Sequence, residues 1–208
     1  MQGLGYSLDE PDLKDMYLSL LATAADGRRD GEAHPSFAEI IKQLSAQEAA
    51  VLMDILTLRN VPAMQVRTSE DGESSYSIAA PPYVLGLLQN GDDEPYLEPD
   101  LAVWIDNWVR LGLVGIDFDV WISEDNVYDW CEEHPAYTGW RESAPVGTTV
   151  TITRGVLRTS DFGVRFRSAV SSRSVGTTVV HSAYRPVAVM RPPTPEAPDP
   201  AAPEKGGA

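Results

Sequence analysis

The sequence predicts an α+β fold in which helices come first and a module of mixed helix and short β-hairpins follows. Three observations predict it. Apolar residues recur at helical spacing in three stretches between residues 9 and 59. In MQVRT and YSIAA that spacing gives way to alternation. Further on, a tryptophan-rich helical stretch passes through a single glycine straight into LVGIDF, a run of strand-forming residues. With 208 residues, 43% of them hydrophobic, the chain is long enough for one sizeable core, and residues 1–190 are expected to form one compact domain.

The first helix is drawn by Leu13, Met16, Tyr17, Leu20, Leu21 and Ala24, with Asp9 as its N-cap and an end near Asp26 and Gly27. The second places Phe37, Ile40, Ile41 and Leu44 on one face. A third begins at Ser45, whose hydroxyl can accept from the backbone N–H of Glu48 while the Glu48 carboxylate reaches back to the N–H of Ser45. It runs to about Leu58, where Asn60 is expected to stop it. Residues 61–84 read as a hairpin with an exposed tip at Glu70 to Glu73. The stretch LLQNGDDEPYLEP reads as a loop.

A fourth helix, 98–111, carries Leu101, Trp104, Ile105, Trp108 and Leu111 inward and stops at Gly112. Helix followed by RLGLVGIDF is similar to the third helix and first wing strand of a winged helix, so the module over 96–170 is predicted to be winged-helix-like. GTTVTITR and GVLRT supply two further strands, and SDFGVRFRSAV a closing helix. A short helix at 124–132 and a loop broken at Pro135 are expected between them. From Arg191 onward the Pro- and Ala-rich sequence has no large apolar residue, which predicts a disordered tail at 191–208.

Net charge is −15, with a pI near 4.4, and this opposes a simple DNA binder. The charge is segregated. Between Gly147 and Met190 stand six arginines, Arg154, Arg158, Arg165, Arg167, Arg173 and Arg185, against the one anion Asp161. The expected role of this segment is to lie against the acidic remainder and reduce self-repulsion. A charged apolar-core signal peptide is absent from the first residues, no apolar run approaches the roughly 20 residues of a membrane span, and there is one cysteine. These point to a cytoplasmic protein with no membrane association.

Few residues carry chemistry. Cys131 and His134 have a Cys-x-x-His spacing, but the other histidines are His34 and His181 and no second cysteine exists, so neither zinc nor any other cofactor is expected. Asp117, Asp119, Glu124 and Asp125 fit no calcium loop and read as a solvated acidic edge. His34, just ahead of Pro35, reads as a cap or a packing residue beneath the corner between two helices. Of five tryptophans, Trp104 and Trp108 share a helix face and belong to the core, whereas Trp130 and Trp140 lie in irregular sequence where a ring could anchor a partner. Trp130, Trp140, Arg165 and Arg167 are the candidate partner-binding residues.

The stretches LKDMYLSLLATAAD, HPSFAEIIKQLSAQEAAVL, WVRLGLVGIDF and GVLRTSDFGVRF, in that order, resemble the abortive-infection alpha family of bacteria. Members of that family usually carry a further helical region before the first of these blocks. The resemblance implies a part in phage resistance and supplies no catalytic residues. The positions that carry it, Leu20, Leu21, Ala22, His34, Pro35, Phe37, Leu44, Glu48, Ala49, Gly112, Leu113, Thr159 and Gly163, are mostly apolar, small or capping residues and read as fold determinants. Two function classes follow. The first is a non-enzymatic interaction protein whose partner is a host or phage protein. The second is a winged-helix DNA-binding regulator with the fourth helix as reader, which is disfavoured because that helix offers Asp100 and Asp106 to a phosphate surface.

Overall fold

The computed structural model describes residues 11–29, 31–89, 94–171 and 180–182. The expected Asp9 cap and the tail at 191–208 lie outside the described residues. Helix α1 (Pro11–Ala25) is followed by a 3-10 turn, α2 (Phe37–Ile41) and α3 (Ala46–Leu58). Strands β1 (Asn60–Glu70), β2 (Ser77–Ile78), β3 (Val84–Leu85) and β4 (Leu87–Gln89) come next. Helix α4 (Leu101–Arg110), β5 (Val114–Asp117), α5 (Pro135–Ser143), β6 (Thr148–Thr159), α6 (Asp161–Val170) and β7 (Val180–Ser182) complete the order.

The helix corner forms as the sequence dictates. Ser45 is extended, its side chain accepts from the N–H of Glu48, and the Glu48 carboxylate accepts from the N–H of Ser45. Helix α2 is shorter than its apolar spacing suggested, yet Leu44 is still buried beyond its end. Helix α3 ends at Leu58 as expected, but the residue that ends it is Arg59 and not Asn60. Arg59 takes a φ of 63°, a left-handed conformation that ends the helix, and Asn60 already belongs to β1.

The sheet is antiparallel, in the order β2-β1-β6-β5, with β3 also on β1. Its spine is the β1–β6 ladder, eleven residue pairs from Asn60–Arg158 to Glu70–Thr148. The two segments expected as separate strands are therefore one, because β1 pairs with β6 on both sides of Gly155 without a break. The predicted hairpin is present, with Arg67 opposite Ile78. Leu87–Gln89, expected in a loop, is instead a strand paired with β7. The Glu124 side of the predicted short helix is not helical; a 3-10 turn covers only Asp129–Glu132, and Pro135 opens α5 where a break was expected. Proline suits that position because its missing N–H has no helical partner to lose.

Alternation along β1 and β6 serves two cores. Val61, Ala63 and Leu157 face the main core, where they meet Phe37 and Ile41 of α2, Leu52 and Ile55 of α3, Ile105 and Trp108 of α4, and Phe166 of α6. Met64 and Val66 face the other way, with Val150 and Ile152, into a second cluster built on Val127, Tyr128 and Cys131. Helix α6 is seated very closely. A Cβ on Gly163 would run into the carbonyl of Leu113, and the turn at Gly112 (φ 74°) is what brings that carbonyl there. Ser160 caps α6 by accepting from the N–H of Gly163 at 2.9 Å. Among the described residues no helix is long and apolar enough to cross a membrane.

Candidate protein-docking site

The segment between β5 and β6 lies over the second cluster, and one tyrosine fixes it there. The Tyr128 hydroxyl donates to the Gly155 carbonyl at 2.8 Å and accepts from the N–H of Ile122 at 3.0 Å. The Arg154 guanidinium sits 5.4 Å over the same ring. Two residues of candidate chemistry are absorbed by this packing. Burial pushes the Cys131 thiol up to about 12, far from thiolate formation at neutral pH. His134 is only 5% exposed, and burial pushes its imidazole down to about 4. It is the N-cap of α5: Nδ1 accepts from the N–H of Ala136 at 3.1 Å, which fixes the neutral tautomer with its proton on Nε2. Among the described residues no three His, Cys, Asp or Glu side chains gather as metal ligands would.

The four residues singled out from sequence separate into two regions. Trp130 is half-buried, so close to Gly86 that a Cβ there would meet the indole at 2.8 Å, and its ring stands edge-on to His134 at 5.6 Å. Its role is packing. Trp140 is also half-buried, and its Nε1–H donates to the Ala80 carbonyl at 2.9 Å, tying α5 to the connection between β2 and β3. Its surroundings differ. With Ala80, Pro135, Ala136, Gly139 and Ser143 it lines a shallow open depression of about 290 Å³ that contains no ionisable side chain. Arg165, exposed, and Arg167, half-buried, stand on α6 on either side of Phe166, which belongs to the main core and not the second cluster. Neither makes an ion pair among the described residues, whereas Arg158 reaches Asp117 at 3.3 Å. Of the four described arginines expected to lie against acidic groups, Arg158 alone is seen to do so.

Sequence reasoning missed Trp121. It is 57% exposed, beside an exposed Val120, directly after β5. The signal was weak, since VWISEDN has neither a helical nor a strand period to say which side faces water. Helix α4, the reader in the DNA-binding alternative, is occupied internally. Leu101, Trp104, Ile105 and Trp108 of α4 are buried, the Asn107 amide donates to Glu48 at 2.8 Å, and Arg110 donates to Gln43 at 2.9 Å. His34 packs as expected, 5.6 Å from both Phe37 and Phe162, with Nδ1 2.7 Å from the Ser36 hydroxyl.

Comparison with known families places these blocks in one frame: the model described as abortive infection alpha matches residues 1–170. The chain belongs to that family. In this abortive infection alpha protein the matched span takes in the second cluster, all of the described main core except Val180, the depression beside Trp140 and the whole of α6. A solved structure of an uncharacterized protein from the hydrocarbon-degrading marine bacterium Alcanivorax borkumensis SK2 is similar at 18% identity, covering 62% of this chain and 88% of that one with a TM-score of 0.38. No curated protein matches.

Proposed function

We propose that this abortive infection alpha protein works in phage defence, in the cytoplasm, as a non-enzymatic protein-binding module. The partner is a host or phage protein that inserts an apolar side chain beside Trp140, and the α4–β5–β6 unit is a winged-helix-like scaffold that holds this face. The observation that carries the reading is the uncharged depression on α5 in a protein of net charge −15. An acidic protein that leaves one concave patch without charge has a place where an apolar anchor is not penalised. Family membership supports the setting, and the commitment of Cys131 and His134 to packing supports binding over catalysis. The regulator alternative gains nothing, because Asn107 and Arg110 of α4 are already spent on Glu48 and Gln43.

The test fills the depression. A Cβ on Gly139 meets nothing within 4 Å, so Gly139→Arg starts a long side chain at the lining of the depression without a clash at its root. Wild-type and variant proteins are used as bait in extracts of phage-infected and uninfected cells, and retained proteins are identified by mass spectrometry. The expected result is a protein held by the wild type and lost from the variant at unchanged melting temperature. Equal retention by both would move the docking site elsewhere. Retained nucleic acid in place of protein would favour the regulator.

A further inference from the structure

Among the described residues, strand β6 has one flank that is paired over only part of its length. On one side β1 runs along almost its whole length, but on the other β5 pairs only with Val156 to Thr159. The direction of each backbone group follows from the two ends of the ladder. The N–H of Asp71 donates to the Gly147 carbonyl and the N–H of Thr159 to the Arg59 carbonyl, so the odd-numbered residues of this stretch bond toward β1. The even-numbered ones turn their N–H and C=O the other way. At Val156 and Arg158 these meet β5, and the Thr148 N–H is taken by the Pro145 carbonyl at 3.1 Å. At Val150, Ile152 and Arg154 they have no hydrogen-bond partner among the described residues.

An unpaired strand flank invites another strand, and natural sheets usually blunt it with lysine, proline, a bulge or a cover. Here the opposite is found. Residues 148–153 read Thr-Thr-Val-Thr-Ile-Thr, β-branched at every position and without a charge. Thr149 and Thr151 are exposed on the face away from the second cluster.

We propose that this flank is where a second copy of the chain docks, β6 pairing antiparallel with β6 about a two-fold axis through Thr151. The register follows from the free length. Asp117 occupies the place beside Val156, which leaves 148–154 open, and the middle of that stretch is Thr151. Centred there, a copy of β6 fills the open stretch without touching β5. Val150 stands opposite Ile152 of the other copy and Thr148 opposite Arg154; all four turn their backbone outward, Thr148 offering its carbonyl alone because Pro145 takes its N–H. Between these pairs Thr151 faces Thr151 and Thr149 faces Thr153, so no two like charges are opposed.

The ends of the strand agree with this arrangement. Val146, fully exposed, comes just before β6. Val120 and Trp121, both exposed, come just after β5 and are held near Gly155, because Ile122 bonds the Tyr128 hydroxyl that bonds the Gly155 carbonyl. A two-fold axis brings the Val146 end of each copy to the Val120 and Trp121 end of the other. Exposed apolar residues are thus covered twice by one symmetric contact, the expected form of a homodimer interface.

The experiment is sedimentation equilibrium on the full chain at concentrations up to about 100 μM, in about 0.15 M salt to screen the shared negative charge. The wild type is expected as a dimer. Thr151→Lys and Thr151→Glu each set like charges face to face across the axis and should raise the dimer Kd by about tenfold or more. Both leave the fold alone, because the Thr151 side chain is exposed and its backbone bonds to β1; circular dichroism melts check this. Mixing the two variants should restore a dimer, since lysine then faces glutamate. A wild type that stays monomeric overturns the proposal. A dimer indifferent to both charges, or a mixture that does not recover, overturns it as well.

Discussion

The side-chain amide of Asn107 donates to the carboxylate of Glu48 at 2.8 Å, across the boundary between α4 and the cap of α3. Glu48 is 5% exposed, and its other oxygen accepts from the N–H of Ser45. A buried carboxylate that loses a donor costs more than the bond itself, because its desolvation is no longer offset. Asn107→Leu should therefore destabilise by about 1 to 3 kcal/mol. Urea unfolding decides it, and a change of less than about 0.5 kcal/mol would show that the helices are held by apolar contact alone.

Acid should weaken the protein through His134. Its folded-state value is about 4 against an ordinary 6.5, so between those limits the unfolded chain takes up a proton that the folded one refuses. The resulting stability is fully present above pH 6.5 and is lost as pH falls toward 4, by roughly 3 kcal/mol in all. His134→Ser keeps a side chain able to cap α5 and removes the titration. The variant's unfolding free energy should fall less than that of the wild type between pH 6.5 and 4.5; parallel curves would assign the acid sensitivity to other groups.

Gly163→Ala should be poorly tolerated although alanine is the better helix former. The added methyl meets the Leu113 carbonyl, so either α6 or the turn at Gly112 must shift. Overpacking of this kind costs about 1 to 3 kcal/mol. The same substitution at Gly139, in open space, should be neutral or slightly stabilising. Thermal melts of the two single variants give the comparison, and equal melting temperatures would contradict it.

Replacing Arg165 and Arg167 together by Gln should leave stability within about 0.5 kcal/mol of wild type, since neither is ion-paired among the described residues. Arg158→Gln removes the contact with Asp117, both partly exposed, and should cost no more than about 1 kcal/mol. A large loss in the double variant at low salt would restore the idea that the basic segment neutralises the acidic surface.

Much of the helical part was legible because its signals are local. The Ser45–Glu48 cap, the apolar face of α4 and the stop at Gly112 each depend on residues within a turn of one another. The strands were read less well, and for a reason. That Thr148 to Thr159 is one strand depends on Asn60 to Glu70, far away in the chain, and Leu87–Gln89 becomes a strand only because Val180–Ser182 comes back to it. The candidate site suffered similarly. Trp130 looked available because its partner Gly86 is remote in sequence, while Trp121, in the same irregular stretch, is the ring left exposed.

The position of β6 in the chain sets the order of events during synthesis. Strand β1 is complete once Glu70 has been made, but the strand that flanks it along its whole length begins at Thr148. A nascent chain must therefore carry Val61, Ala63, Met64 and Val66 with only the short β2 and β3 beside them, and the other flank of β1 unpaired, while the next 77 residues emerge. Neither apolar layer can close before then, and contacts of such long range slow folding. A ribosome that stalls between these two strands releases a fragment with one flank of β1 and its apolar side chains uncovered, a substrate for chaperones and proteases and not a smaller version of the working protein.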